Sequence, residues 1–138
     1  MGGKLKQSEW HQHSYGGGWV ENSACVGSDA FVGSDACVSG NAKVIENAKV
    51  TKNGWIYGNA LIYGDAWVAS NAKVFGLARI YGDAWVSGNA HVWGNAKVYG
   101  KAWLSGNAKV YGNAKVYGNA LIYGNDRVCG NDRVCGNA

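Results

Sequence analysis

From Val20 to Val134 a branched aliphatic residue or Leu falls at every sixth position without a break. The series passes through Val26, Val50, Ile56, Ile80, Leu104, Val116 and Val128. Four residues after nearly every one stands Ala, as in Val98-Tyr99-Gly100-Lys101-Ala102. The two residues before that Ala are usually Gly, then Asn or Asp. A helix does not hold a strict period of six, and its interior does not tolerate a Gly-Asn pair in each turn. The unit reads instead as a short strand and a corner. In Ala96-Lys97-Val98-Tyr99, alternation turns Ala and Val to one face and Lys and Tyr to the other. Gly and its Asn or Asp neighbour accept the positive φ of a sharp corner. A strand this short cannot bury itself, so the units must stack coil upon coil. The fold expected is an all-β solenoid over residues 20–138, preceded by a segment 1–19 that folds over the first coil as a cap.

Composition narrows the function classes. Pro is absent, while Gly numbers 22, Trp 7 and Tyr 8 in 138 residues, which suits pleated surfaces joined by tight turns. Apolar runs are only a few residues long, so no span of a bilayer and no membrane partner are expected. Lys4 and Lys6 are followed by no apolar stretch, so no secretory signal is read and a cytoplasmic location is the expectation. Net charge is +4, from 13 Lys and Arg against 9 Asp and Glu. That balance is too mild to argue for nucleic acid by itself.

The unit Val110-Tyr111-Gly112-Asn113-Ala114-Lys115 resembles the hexapeptide repeat of left-handed parallel β-helix proteins, most closely a Gly-Asn-Ala-rich subset often labelled transferase on the repeat alone. The resemblance implies triangular coils of three hexads, 18 residues per coil, and hence about six and a half coils of a single-stranded left-handed parallel β-helix. The hand comes from the family, since parallel crossovers in general are right-handed. Family members include trimeric acyltransferases and zinc carbonic anhydrases, so the likeness fixes no activity.

With that coil, residues i and i+18 lie about 4.8 Å apart in adjacent strands, and three outward sides follow. One carries Trp67, Trp85 and Trp103, continued by Leu121, with Ala69, Ser87 and Ser105 beside them. A second carries Tyr63, Tyr81, Tyr99 and Tyr117 beside Arg79, Lys97, Lys115 and Arg133. The third mixes Tyr57, Phe75, Trp93 and Tyr111 with Trp55, Lys73, His91, Lys109 and Arg127. Acidic residues such as Asp29, Asp35, Asp65 and Asp83 fall at corners. Stacked aromatics brace neighbouring coils whatever else they do. The three indoles are also expected to expose roughly 600 Å² in all, enough to seed an interface with a second copy.

Other residue groups bound the chemistry. Asp126 and Asp132 replace Ala at inward positions, where an unpaired carboxylate costs several kcal/mol. Three readings stand open: a frayed, solvated last coil, a charged plug against stacking, or a head-to-tail joint with Lys4 or Lys6 of a neighbour. Cys25 and Cys37 fall on different sides, as do Cys129 and Cys135. The latter two lie about 13 Å apart at strand spacing, beyond the roughly 7 Å a disulfide spans. That fits a reducing compartment. His11 and His13 supply two ligands at most, so no metal is expected. His91 lies between Lys73 and Lys109, which disfavour its protonation, and no orienting carboxylate stands beside it. Glycines at period six are corners and not a phosphate loop, and a single Thr, Thr51, excludes an ice-binding ladder.

The sequence therefore points to a non-enzymatic, self-assembling structural β-solenoid without cofactor. Its partner is itself, as a homo-oligomer or filament, through the Trp67, Trp85, Trp103 and Leu121 column, the C-terminal end with Asp126 and Asp132, or both. The rivals are an acyltransferase-like enzyme and a binder of nucleic acid or glycan. The binder would use the side formed by Tyr63, Tyr81, Tyr99, Tyr117, Arg79, Lys97 and Lys115, combining cations with aromatic rings as single-strand binders do.

Overall fold

The computed structural model describes residues 9–136. Among them all regular structure is β-strand, with no helix. Two opening strands, β1 (Trp10–Gln12) and β2 (Trp19–Glu21), are followed by short strands at six-residue intervals from Cys25–Val26 to Arg133–Gly136. From β2 onward each strand pairs in parallel with the strand three places later, so the chain winds into a three-sided coil. Six coils are complete, and a seventh has two of its sides. Partners are 18 residues apart, as in Lys73 with His91 and Trp85 with Trp103. The chain is a β-solenoid with the coil length that the resemblance implies.

The interior follows from the alternation within each hexad. The inward Ala and aliphatic residues from Ala30 to Val116 are almost completely buried and form one continuous column. Ala lets the backbone of one side approach the next, while Ile56, Ile62, Ile80 and Leu104 fill the wider space between. Each such aliphatic side chain contributes roughly 1.5–3 kcal/mol on burial. No two-residue strand survives without this shared core.

Corners are four-residue turns closed within the hexad, as where the Ala90 N–H donates to the Ser87 carbonyl at 3.3 Å. From Gly40 onward the second residue of each takes a positive φ, +66° at Gly88. The next amide reaches the coil above, Asn89 N–H donating to the Gly106 carbonyl at 2.7 Å. Turn therefore lies on turn, backbone against backbone. A Cβ on Gly88 would stand 2.7 Å from the Gly106 nitrogen, whereas one on Gly124 would meet nothing within 4 Å. Glu46, Lys52 and Ser70 take the same positive φ without being Gly. The Glu46 carboxylate also accepts the Gly64 N–H of the next coil at 2.8 Å.

The segment before the coils packs on the first of them. β1 pairs antiparallel with β2, Trp10 opposite Glu21 and Gln12 opposite Trp19. Beyond it, Gly18 N–H donates to the Val32 carbonyl at 2.8 Å and Val32 N–H donates to the Tyr15 carbonyl at 3.1 Å. His13 is buried there, its Nε2–H donating to the Ala30 carbonyl at 2.7 Å. Lys4 and Lys6 lie outside the described residues.

Stacked corners make a quantitative prediction. Gly88→Ala incurs the left-handed φ cost, about 1–2 kcal/mol, and an overpacking cost of about 1–3 kcal/mol. Gly124→Ala incurs only the first. Urea denaturation should place Gly88→Ala clearly below Gly124→Ala, and equal losses would show that the corners part freely.

Candidate functional site

The interior is filled, so any site must lie on the outward sides. On the Trp side, Trp67, Trp85 and Trp103 are in parallel register. Their rings stack at 4.9 Å between centroids with 3° between planes. The indoles do more than stack. Trp67 Nε1–H donates to Thr51 Oγ1 at 2.9 Å, and Trp55 Nε1–H donates to Ser39 Oγ at 3.1 Å, each reaching back 16 residues. At that offset from Trp85 stands Ala69, and the Trp85 Nε1–H is buried without a partner. Small residues flank the column because an indole lies over them. In consequence the expected exposure of all three indoles is corrected: Trp67 and Trp85 are half-buried, and only Trp103 is exposed, at 45%. The open apolar surface lies further along this side, at Trp103, Leu121 (56%) and Tyr123 (59%).

The Tyr side is organised differently. Tyr63, Tyr81, Tyr99 and Tyr117 stack at 4.9–5.1 Å with 3–6° between planes. Each inner ring thus spends both faces on its neighbours and turns an edge outward. Burial, and then the adjacent Tyr63 and Tyr99, raise the Tyr81 phenol above its ordinary range. Beside this ladder Arg79, Lys97, Lys115 and Arg133 are paired in register. No outward strand position on this side is acidic. Between the cations and the corner Asn41, Asn59, Asn95 and Asn113 runs an open groove of about 690 Å³ that also meets Leu61 and Leu77. Asn amides bond along the axis, Asn95 Nδ2–H to Asn113 Oδ1 at 3.3 Å and Asn113 Nδ2–H to Asn131 Oδ1 at 3.4 Å.

The mixed side carries Tyr57, Phe75, Trp93 and Tyr111 as a third stack, with centroids 4.5–5.6 Å apart. Lys73, His91, Lys109 and Arg127 stand in register beside it. His91 is held below its ordinary pKa of 6.5, first by burial and then by Lys73 and Lys109. Its ring meets the edge of Trp93 at 6.4 Å.

The remaining candidates do not converge. His11 Nδ1 lies 2.7 Å from Asn22 Oδ1, while His13 is committed to the Ala30 carbonyl. Among the described residues no group of three His, Cys, Asp or Glu comes together as metal ligands would. Burial pushes the Cys37 thiol up to about 11. Asp126 and Asp132, expected to point inward, are exposed. Their backbones stay in the ladder, the Asp126 carbonyl accepting Lys109 N–H at 3.0 Å and that of Asp132 accepting Lys115 N–H at 2.9 Å. Both carboxylates thus reach water on a coil whose backbone stays hydrogen-bonded. The columns were legible from the 18-residue period. The Asn ladder, the groove with Leu61 and Leu77, and the 16-residue reach of the indoles were not.

Two outcomes follow from these environments. Ala69→Ser places a hydroxyl at the position from which Ser39 and Thr51 serve their indoles, so it should raise stability by about 1 kcal/mol. An unchanged or lower denaturation midpoint would sink that account. For His91 the unfolded chain takes up the proton more readily than the fold does. Stability therefore falls as pH drops below the ordinary value of 6.5 and towards the lower folded pKa. His91→Gln removes that step, so its midpoint should change less than the parent's between about pH 7 and about pH 5.

The family model described as YdcK Beta solenoid repeat matches residues 56–69 and 78–94. Neither the comparison with curated proteins nor that with solved structures gives a match. The matched stretches run from the inner flank of the Tyr57 corner to Gly94 with one short break, within the regular coils. They agree with the geometry on one point, that this chain is a β-solenoid repeat protein.

Proposed function

We propose that this chain is a non-enzymatic structural β-solenoid whose copies associate through the Trp side. The observation that carries the reading is the contrast between sides. The Tyr and mixed sides present columns of cations, and like charges brought face to face suppress association. From Trp67 to Tyr123 the Trp side presents no charge at any outward strand position, and it ends in the exposed Trp103, Leu121 and Tyr123. A second copy is the partner whose side has the same pitch and the same lack of charge. The six-residue period and Gly-Asn-Ala corners support grouping the chain with left-handed hexapeptide-repeat solenoids. An acyltransferase-like activity draws little support from His91, which has cations for column neighbours and no carboxylate among them.

Sedimentation velocity across a range of concentrations tests this. The parent chain should sediment as a dimer or larger species. The double variant Trp103→Lys/Leu121→Lys should weaken association at least tenfold, with its thermal transition retained. A parent that stays monomeric at every concentration would overturn the proposal. Negative-stain electron microscopy separates the forms of assembly: threads would extend the contact into filaments, and discrete particles would confine it to a closed oligomer.

A further inference from the structure

The Tyr side holds a feature that self-association leaves unused. Arg79, Lys97, Lys115 and Arg133 stand directly over one another as registered strand partners, an arrangement in which like charges repel. The carboxylates Asp65 and Asp83 sit at the corner beyond the Tyr ladder and are exposed. Next to the cations lies the groove of about 690 Å³. It extends from the level of Asn41 to that of Asn113, four coil steps or about 19 Å at strand spacing. A trough of this length fits a linear ligand better than a compact one.

We propose that this groove binds a linear anionic polysaccharide, one bearing a carboxylate on each sugar, lying along the solenoid axis. From Arg79 to Arg133 the column offers one positive charge per coil, about 4.8 Å apart, which suits a polymer with a charge on each unit. Asn113 spends one amide N–H and one carbonyl lone pair along the axis, and Asn95 one N–H. Each amide keeps a second N–H and a second lone pair for sugar hydroxyls. Leu61 and Leu77 give the groove an apolar patch for the C–H face of a sugar ring, and Leu77 is 56% exposed at a corner otherwise occupied by Asn. Single-stranded nucleic acid fits less well. Its bases need open aromatic faces, and the inner Tyr rings have both faces covered by their neighbours.

Isothermal titration of the full chain with an oligomeric polyuronate tests the site. The comparison ligands are a neutral oligosaccharide of the same linkage, inorganic polyphosphate and oligo-dT. The polyuronate should bind tightest, and added salt should weaken it. Lys97→Gln/Lys115→Gln should weaken it at least tenfold, and Leu77→Asn about threefold, with the thermal transition of each variant retained. Tighter binding of oligo-dT would overturn the proposal in favour of nucleic acid. Equal affinity for polyphosphate, with no effect of Leu77→Asn, would overturn it in favour of unspecific charge attraction. Trp103→Lys/Leu121→Lys should leave polyuronate binding intact, so this site and the Trp-side contact stand or fall separately.

Discussion

Everything in this molecule hangs on one repeated backbone bond. Where a coil has another stacked on it, the N–H of an outward residue donates to a carbonyl 17 residues on, as Lys97 to Ala114 at 3.0 Å and Tyr99 to Val116 at 2.9 Å. The ladder sets the rise of the coil to the spacing of a parallel sheet. Every coil must then be as thin as one strand, so the inner positions take Ala and a single branched aliphatic. Corners must stack backbone on backbone, and that places Gly at most of them. The aromatic stacks inherit their centroid spacing from the same rise. Their regularity is a property of the main chain before it is a property of the rings.

A parallel ladder also sets like upon like. Pairing at 18 residues brings Trp over Trp, Tyr over Tyr and cation over cation. Rings gain contact from this arrangement, and charges lose by it. Lys49 and Lys73 have rings instead as register partners and stand over those of Trp67 and Trp55, at 5.2 and 5.8 Å. The column on the Tyr side stands beside ring edges and Asn amides. Whatever such a solenoid does, it does with arrays running along its axis, because among the described residues no loop interrupts the regular coils to build a pocket.

Much of this is legible in the order of the residues alone. The period of six identifies the inward residues from Val20 on, and the 18-residue coil that the resemblance implies assigns Trp67, Tyr81 and His91 to their sides. Alternation tells which way a side chain leaves the strand and nothing of where it then goes. That is why the reach of Trp67 to Thr51, the orphaned N–H of Trp85 and the partial cover of both indoles were hidden. Asp126 and Asp132 occupy positions that the pattern marks as inward, yet both are exposed, in the last two hexads of the chain. His13 lies outside the repeat, and no periodicity could have shown that it is buried against Ala30. Leu77 breaks a run of corner Asn, a departure with meaning only once the groove beside it is known.

Equivalence of the three corners has a consequence for how such a chain can change. Inside, nearly every hexad presents the same Ala and aliphatic pair, with Gly54, Asp126 and Asp132 the departures, so the core hardly distinguishes one side from another. Loss or duplication of a single hexad would leave the interior continuous while rotating everything downstream by one side. Trp103 would then fall in line with a different column, and the cations would pass to a neighbouring surface. An 18-residue change, by contrast, only shortens or lengthens the prism. The outer pattern is thus written in a frame of three, much as a coding sequence is, and a slip of one unit re-deals the surface without disturbing the fold.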